Sequence, residues 1–143
     1  MSADKLYTPA MLAAAVKLAD YPPLADAPLH GEARSTTCGS VISLDAETDH
    51  EGAISALGVK VRACAVGQAA ASLFADHAKG HDLNGIAQSH EGLQAWLKEG
   101  AGMPDWPGLE LIEPARDYPA RHDAILLPWK AAIAALSSAT ASS

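Results

Sequence analysis

Across residues 41–62 apolar side chains recur at every second position. Ile42, Leu44 and Ala46 alternate with Val41, Ser43 and Asp45, and Leu57, Val59 and Val61 alternate with Gly58, Lys60 and Arg62. A period of two puts one set of side chains on a buried face and the other in solvent, which is the mark of half-buried strands. The polar run 48–52 between the two stretches is short enough to be the turn of an antiparallel hairpin. Ile54 and Ala56 fall out of phase with Leu57 and Val59, and this predicts a β-bulge near Gly58. A further strand is expected before the hairpin, around residues 32–36, with Thr37-Cys38-Gly39-Ser40 as the turn that leads into Val41.

Elsewhere the period is helical. Thr8 is placed to cap a helix over residues 8–18 whose first position is Pro9, and Met11, Leu12, Ala15, Val16 and Ala19 would share its inner face. Tyr21-Pro22-Pro23 forbids continuation. A second helix starts just after Cys64, with Val66, Ala69, Ala70, Leu73 and His77 on one face and Gly67, Ala71 and Ala75 on an adjacent face of small residues. Lys79-Gly80 stops it. Asp82 can cap a short helix through Gln88, and Ser89 can start another whose inner side is Leu93, Trp96 and Leu97. Four prolines and three glycines make residues 100–119 a loop, anchored by Trp106, Leu109 and Leu111. The last helix is expected over about 122–136, burying Ile125, Trp129, Ile133 and Leu136, and Pro128 is tolerable there only near the first turn. Residues 137–143 read as a frayed tail. The prediction is one α/β (α+β) domain over 1–143, a small antiparallel sheet of about three strands packed by helices.

Composition sharpens this. Hydrophobic residues make up 49% of the chain but aromatics only 5%, so the core must rely on alanine and close helix packing. A net charge of −7 with ten Lys and Arg scattered along the chain excludes a nucleic-acid surface, and suits solubility or a basic partner. No run approaches the roughly 18 apolar residues of a membrane span, so no membrane is expected and a cytoplasmic location is. Two cysteines are no disulfide framework; in a reducing compartment they are free, metal-binding or redox-active.

Phosphate-loop, dinucleotide, nucleophile-elbow and zinc-protease motifs are all missing, and no acid, base and nucleophile set converges, so an enzyme is not expected. What remains is thiol chemistry. Cys64 stands where a strand runs into a helix, among unpaired N–H groups and beside Arg62, a setting that favours a thiolate; the alternative is that it is a small buried apolar residue, as free cysteines often are. A hairpin returns the chain on itself and would bring Cys38 near Cys64. Two thiolates bind a soft metal, but zinc or an iron-sulfur cluster needs about four ligands. Among the histidines, His30, His50, His81 and His90 have solvated or capping readings, and His77 a core-rimming one. His122-Asp123, beside Arg121 at the start of the last helix, is where a further ligand would be placed, unless Asp123 caps that helix.

Thr-Thr-Cys-Gly-Ser at 36–40, Arg-Ala-Cys-Ala-Val-Gly-Gln-Ala-Ala-Ala-Ser at 62–72, Lys-Gly at 79–80, and Tyr-Pro-Ala-Arg followed by Leu-Leu-Pro-Trp-Lys-Ala within 118–131 together resemble the NifU/IscU/SufU family of iron-sulfur cluster assembly scaffolds. The Leu-Tyr-Thr-Pro opening and the long loop before the last helix are similar to the SufU branch. The resemblance covers the chain from Leu6 to about Leu136. It implies a small antiparallel sheet packed by helices, and a site of three cysteines and an acidic residue that holds a nascent cluster, or zinc in the SufU branch, with sulfur supplied by a cysteine desulfurase. Two positions depart from the pattern: Ser40 stands where the family has aspartate, and Ala124 where it has the third cysteine. Cys38 and Cys64 carry over, and His122 or Asp123 are the candidates to complete the ligand set. The function expected is a divergent iron-sulfur scaffold or carrier; a docking or regulatory module without a cluster and a thiol sulfur-relay protein are the alternatives.

Overall fold

The strand alternation is realised in full. In the computed structural model, which describes residues 8–36 and 39–142, β1 (Leu29–Arg34), β2 (Val41–Thr48) and β3 (Ile54–Arg62) form one antiparallel sheet in the order β1-β2-β3. Ile42, Leu44 and Ala46 of β2 and Leu57 and Val59 of β3 are buried on its inner face. The expected first strand is present and begins earlier than the pattern suggested, at Leu29. The turn 49–53 is closed by Asp49, whose Oδ1 accepts from the Glu51 and Ala53 amides at 2.9 and 3.0 Å.

The bulge lies elsewhere than expected. Glu47 pairs with Ala56 and Thr48 with Ile54, so Ser55 is the extra residue. This insertion returns Ile54 to the buried face. Gly58 stays in register opposite Asp45. Its lack of a side chain answers a different demand, because a Cβ there would stand 2.1 Å from the Pro22 carbonyl oxygen where the segment after the first helix crosses the sheet.

Among the described residues four α-helices complete this α+β architecture. In α1 (Pro9–Val16) the Met11 amide donates to Thr8 Oγ1 at 3.1 Å, as the cap predicts. The inward stripe is Met11, Ala14, Ala15 and Leu18, whereas Leu12 and Val16 are 43% and 75% exposed. With alanine at so many positions two neighbouring stripes look apolar, and contact with α2 selects one. Helix α2 (Ala65–His77) is central: every residue from Val66 to Ala75 except Gln68 is buried. His77, expected on its inner face, is exposed. A single helix α3 (Leu83–Lys98) replaces the two short ones expected after Asp82. Asp82 does cap it, accepting the Gly85 amide at 2.9 Å, and the stripe Ile86, Leu93, Trp96 and Leu97 continues past Ser89 without a break.

Residues 99–118 form a loop with 3-10 turns at Leu109–Leu111 and Glu113–Asp117. Its anchor is Trp106, which stacks on Phe74 with ring centroids 5.5 Å apart and donates Nε1–H to the Leu73 carbonyl at 3.0 Å. Helix α4 (Pro119–Ser142) opens earlier than expected and continues through 137–142, where the sequence reads as a tail. Pro128 is therefore in its interior and not in the first turn, and the amide that would bond the Ala124 carbonyl is missing. α4 lies directly on β1: a Cβ on Gly31 would come within 2.2 Å of the Ala131 carbonyl oxygen. No helix among the described residues is long and apolar enough to cross a membrane.

Candidate functional site

Strand β3 ends at Arg62 and α2 begins at Ala65, so the chain must turn within Ala63 and Cys64. Cys64 occupies the N-cap position with extended backbone (φ −66°, ψ 171°), and its carbonyl accepts the Gln68 amide at 2.9 Å. Its side chain makes no capping bond. The Gln68 side chain instead fixes the junction by donating Nε2–H to the Ala63 carbonyl at 2.8 Å. Half-buried Cys64 is thus held by its backbone, with the thiol left for other chemistry.

The pairing of Val41 with Arg62 brings the residues just before β2 alongside this junction. Gly39, Ser40, Arg62, Ala63, Cys64 and Arg121 line one cavity of about 350 Å³. Gly39 has φ +72°, a left-handed conformation that favours glycine. Ser40 is 4% exposed, and its carbonyl accepts the Ser35 amide at 2.8 Å. Cys38 lies outside the described residues; Gly39, its neighbour in the chain, shares the cavity with Cys64.

Ala124 is buried on α4 against the first turn of α2. A Cβ on Gly67 would stand 3.4 Å from the Ala124 Cβ and 2.8 Å from that of Ala63. Position 124 therefore lies beneath the Cys64 junction and offers a methyl group. The neighbouring candidates face elsewhere. His122 is 6% exposed and donates Nε2–H to the Arg116 carbonyl at 2.9 Å, which also fixes its tautomer. Asp123 pairs with Lys98 Nζ at 3.2 Å. Neither lines the cavity, whereas Arg121 does. Sequence reasoning treated Arg121 only as a neighbour of His122; the one signal for it was the Tyr-Pro-Ala-Arg motif.

Among the described residues no three His, Cys, Asp or Glu side chains are grouped to hold a metal ion. The described lining offers one thiol, one alcohol and two guanidinium groups. Such a set suits an anion or a thiolate-bound group, and a four-coordinate metal or cluster would need donors from Cys38 and from beyond the cavity. None of the other histidines lines the cavity. His30 pairs with Asp45 at 2.7 Å, and His81 lies against the Trp106 ring with centroids 4.8 Å apart. Burial and the nearby Lys130 hold the His90 imidazole below its usual pKa.

No family model and no curated protein matches the sequence. Solved structures do match. The N-terminal part of a nitrogen-fixing NifU-like protein from Brucella abortus superposes with a TM-score of 0.90 at 25% identity, over 100% of both chains. A candidate iron-sulfur cluster assembly scaffold protein for the SUF system, from thermophilic Fervidobacterium islandicum AW-1, gives 0.79 at 19% identity over 92% of this chain and 97% of that one. A hypothetical protein gives 0.67 at 19% identity, over 90% and 97%.

Proposed function

We propose, from the premise that this chain belongs to the NifU/IscU/SufU family, that it serves iron-sulfur cluster assembly as a scaffold or carrier whose cargo is held by Cys38 and Cys64 and completed by a second molecule. The observation that carries this is the position of Cys64: an N-cap thiol without a capping bond, opening into a cavity that Gly39 and Ser40 share. Two thiolates provide half of the four ligands a cluster takes. Ser40 supplies a neutral hydroxyl and Ala124 supplies nothing, so the missing donors come from a partner protein or a second copy of the chain. His122 or Asp123 could join the set only by giving up the Arg116 carbonyl or Lys98. Zinc, the alternative cargo, meets the same shortage. A cysteine desulfurase is the sulfur source this reading requires, and the reducing cytoplasm is where two such thiols stay free. The protein itself turns nothing over.

Anaerobic reconstitution with ferrous iron and sulfide tests the reading. Visible cluster bands and bound iron are expected in the wild type and are expected to disappear in Cys38→Ser and in Cys64→Ser. Absence of bands, with metal binding unchanged in Cys38→Ser, would refute it. The buried methyl of Ala124 and the engaged His122 and Asp123 favour a second reading, a docking or regulatory module of the assembly machinery that holds no cluster. Its signature is binding to a desulfurase with no cluster on reconstitution. Addition of a single sulfur atom to Cys64 after incubation with desulfurase and cysteine would instead mark a sulfur relay.

A further inference from the structure

The outer face of the sheet is covered at one end and open at the other. At the covered end the segment 21–24 crosses it: Val59 donates its amide to the Tyr21 carbonyl at 2.9 Å, and Leu24 donates its amide to Asp45 Oδ2 at 3.0 Å. At the open end two cross-strand rows face solvent, Glu32-Ser43-Lys60 and, beyond it, Arg34-Val41-Arg62. These residues line a groove of about 480 Å³. Three cations and one carboxylate stand in it. Glu32 is engaged with Arg34 at 3.8 Å and with Ser43 Oγ at 3.4 Å, while Lys60 and Arg62 make no ion pair among the described residues. The surplus is positive in a chain whose net charge is −7. Arg62 also lines the Cys64 cavity, so the groove leads into it. Cations that are scattered in the sequence are gathered here by antiparallel pairing alone.

We propose that this groove is the docking surface for an acidic segment of a protein partner, which crosses the open end of the sheet and brings the partner's reacting group to Cys64. The charge pattern selects the occupant. Lys60 and Arg62, which make no ion pair among the described residues, can donate to carboxylates, and the basic patch on an otherwise acidic surface orients an approaching acidic loop. A long polyanion would meet Glu32 within the groove and the net negative chain around it. The approach to Cys64 rests on the function proposed above; the charge complementarity does not.

The test titrates a fluorescein-labelled peptide of alternating glutamate and serine into the full chain, followed by anisotropy. Binding is expected to weaken at least about tenfold in Lys60→Glu/Arg62→Glu and to change less than about twofold in Lys79→Glu, an exposed charge beside the opposite end of β3. No saturable binding, or an equal loss in Lys79→Glu, would overturn the proposal. Equally tight binding of an oligothymidylate of the same charge would overturn the choice of a protein partner. Bound peptide is expected to slow alkylation of Cys64 by iodoacetamide in a Cys38→Ser background; an unchanged rate would refute the approach to the thiol. Cys64→Ser is expected to keep its peptide affinity. Failed reconstitution with peptide binding intact therefore counts against the cluster reading and not against the groove.

Discussion

Replacing Gly67 by alanine tests how the Cys64 junction is built. Alanine in a helix interior is favoured over glycine by about 1 kcal/mol, so propensity alone predicts a more stable protein. Packing opposes this. The new methyl would stand 2.8 Å from the Ala63 Cβ and 3.4 Å from the Ala124 Cβ, which belong to the β3–α2 turn and to α4. Neither neighbour is the end of a flexible side chain, so backbone must move, and overpacking of this kind costs about 1–3 kcal/mol. With a near 1 Å overlap on Ala63, the upper part of that range applies and the net loss is about 1–2 kcal/mol. For a domain of this size that is a fall in Tm of about 3–6 °C. Gly92 is the internal control: it lies within α3, where an added Cβ meets only Pro104 at 3.4 and 3.7 Å. Gly92→Ala keeps the propensity gain and should raise Tm by about 2–3 °C. Thermal unfolding by circular dichroism measures both, and alkylation of Cys64 should be faster in Gly67→Ala as the first turn of α2 loosens. If Gly67→Ala proves as stabilising as Gly92→Ala, the β3–α2 turn is not packed against the first turn of α2 as described.

Trp106→Phe removes the bond to the Leu73 carbonyl and leaves a small void beside Phe74 and Trp129; denaturant unfolding should show a loss of about 1–3 kcal/mol. Tyr21 donates its hydroxyl to Asp76, and that bond, with some burial and the carboxylate's charge, pushes its pKa up from 10.0 to about 12. Because the folded pKa is the higher one, this stabilisation is complete below pH 10 and is lost as pH rises toward about 12. Ultraviolet difference titration should find Tyr21 titrating late and its pKa returning toward 10 in Asp76→Asn. His122→Ala should cost about 1–3 kcal/mol through the orphaned Arg116 carbonyl, and Asp123→Ala less than about 1 kcal/mol through the part-exposed Lys98 pair. Both variants should bind iron on reconstitution as the wild type does; a loss beyond that explained by stability would make the residue a ligand.

The strands were readable because burial on one face imposes a period of two, and Ile42, Leu44 and Ala46 leave no second way to satisfy it. The bulge was readable in kind but not in place. Gly58 looked like its cause, yet what fixes that glycine is the Pro22 carbonyl, a tertiary contact with no local signature. Alanine blurred α1, since a methyl can face either a neighbour or solvent at little cost, and only the contact with α2 decides. Ser89 looked like a helix start because serine caps well, but a cap requires a break in the stripe and Ile86, Leu93 and Leu97 provide none. Pro128 misled through the boundary: once Pro119 opens α4, the later proline is interior, and packing on β1 through Gly31 holds the helix across it. At the site, Cys64 was legible because a strand-to-helix junction is a local feature. Arg121 and the basic groove were not, because their charges converge only through chain pairing.

The two departures from the family pattern act in the same direction electrostatically. Serine at 40 and alanine at 124 each remove a group that would carry negative charge next to a metal, while Arg62 and Arg121 both line the cavity. Unit charges 4 Å apart interact by about 4 kcal/mol in a partly buried setting, so guanidinium groups at such a distance would oppose a bare dication entering on two thiolates. A cargo that arrives already bound to thiolates or sulfide carries negative charge and meets no such opposition. On the proposed reading, loading by a protein partner is therefore the favoured route, and the cationic groove that reaches Arg62 lies on the path such a partner would take. A direct comparison decides it: ferrous iron offered without sulfide or thiol should load the protein poorly, and iron and sulfide presented on a small-molecule thiolate complex should load it well. Equal loading from both sources would mean that the arginines do not govern what enters.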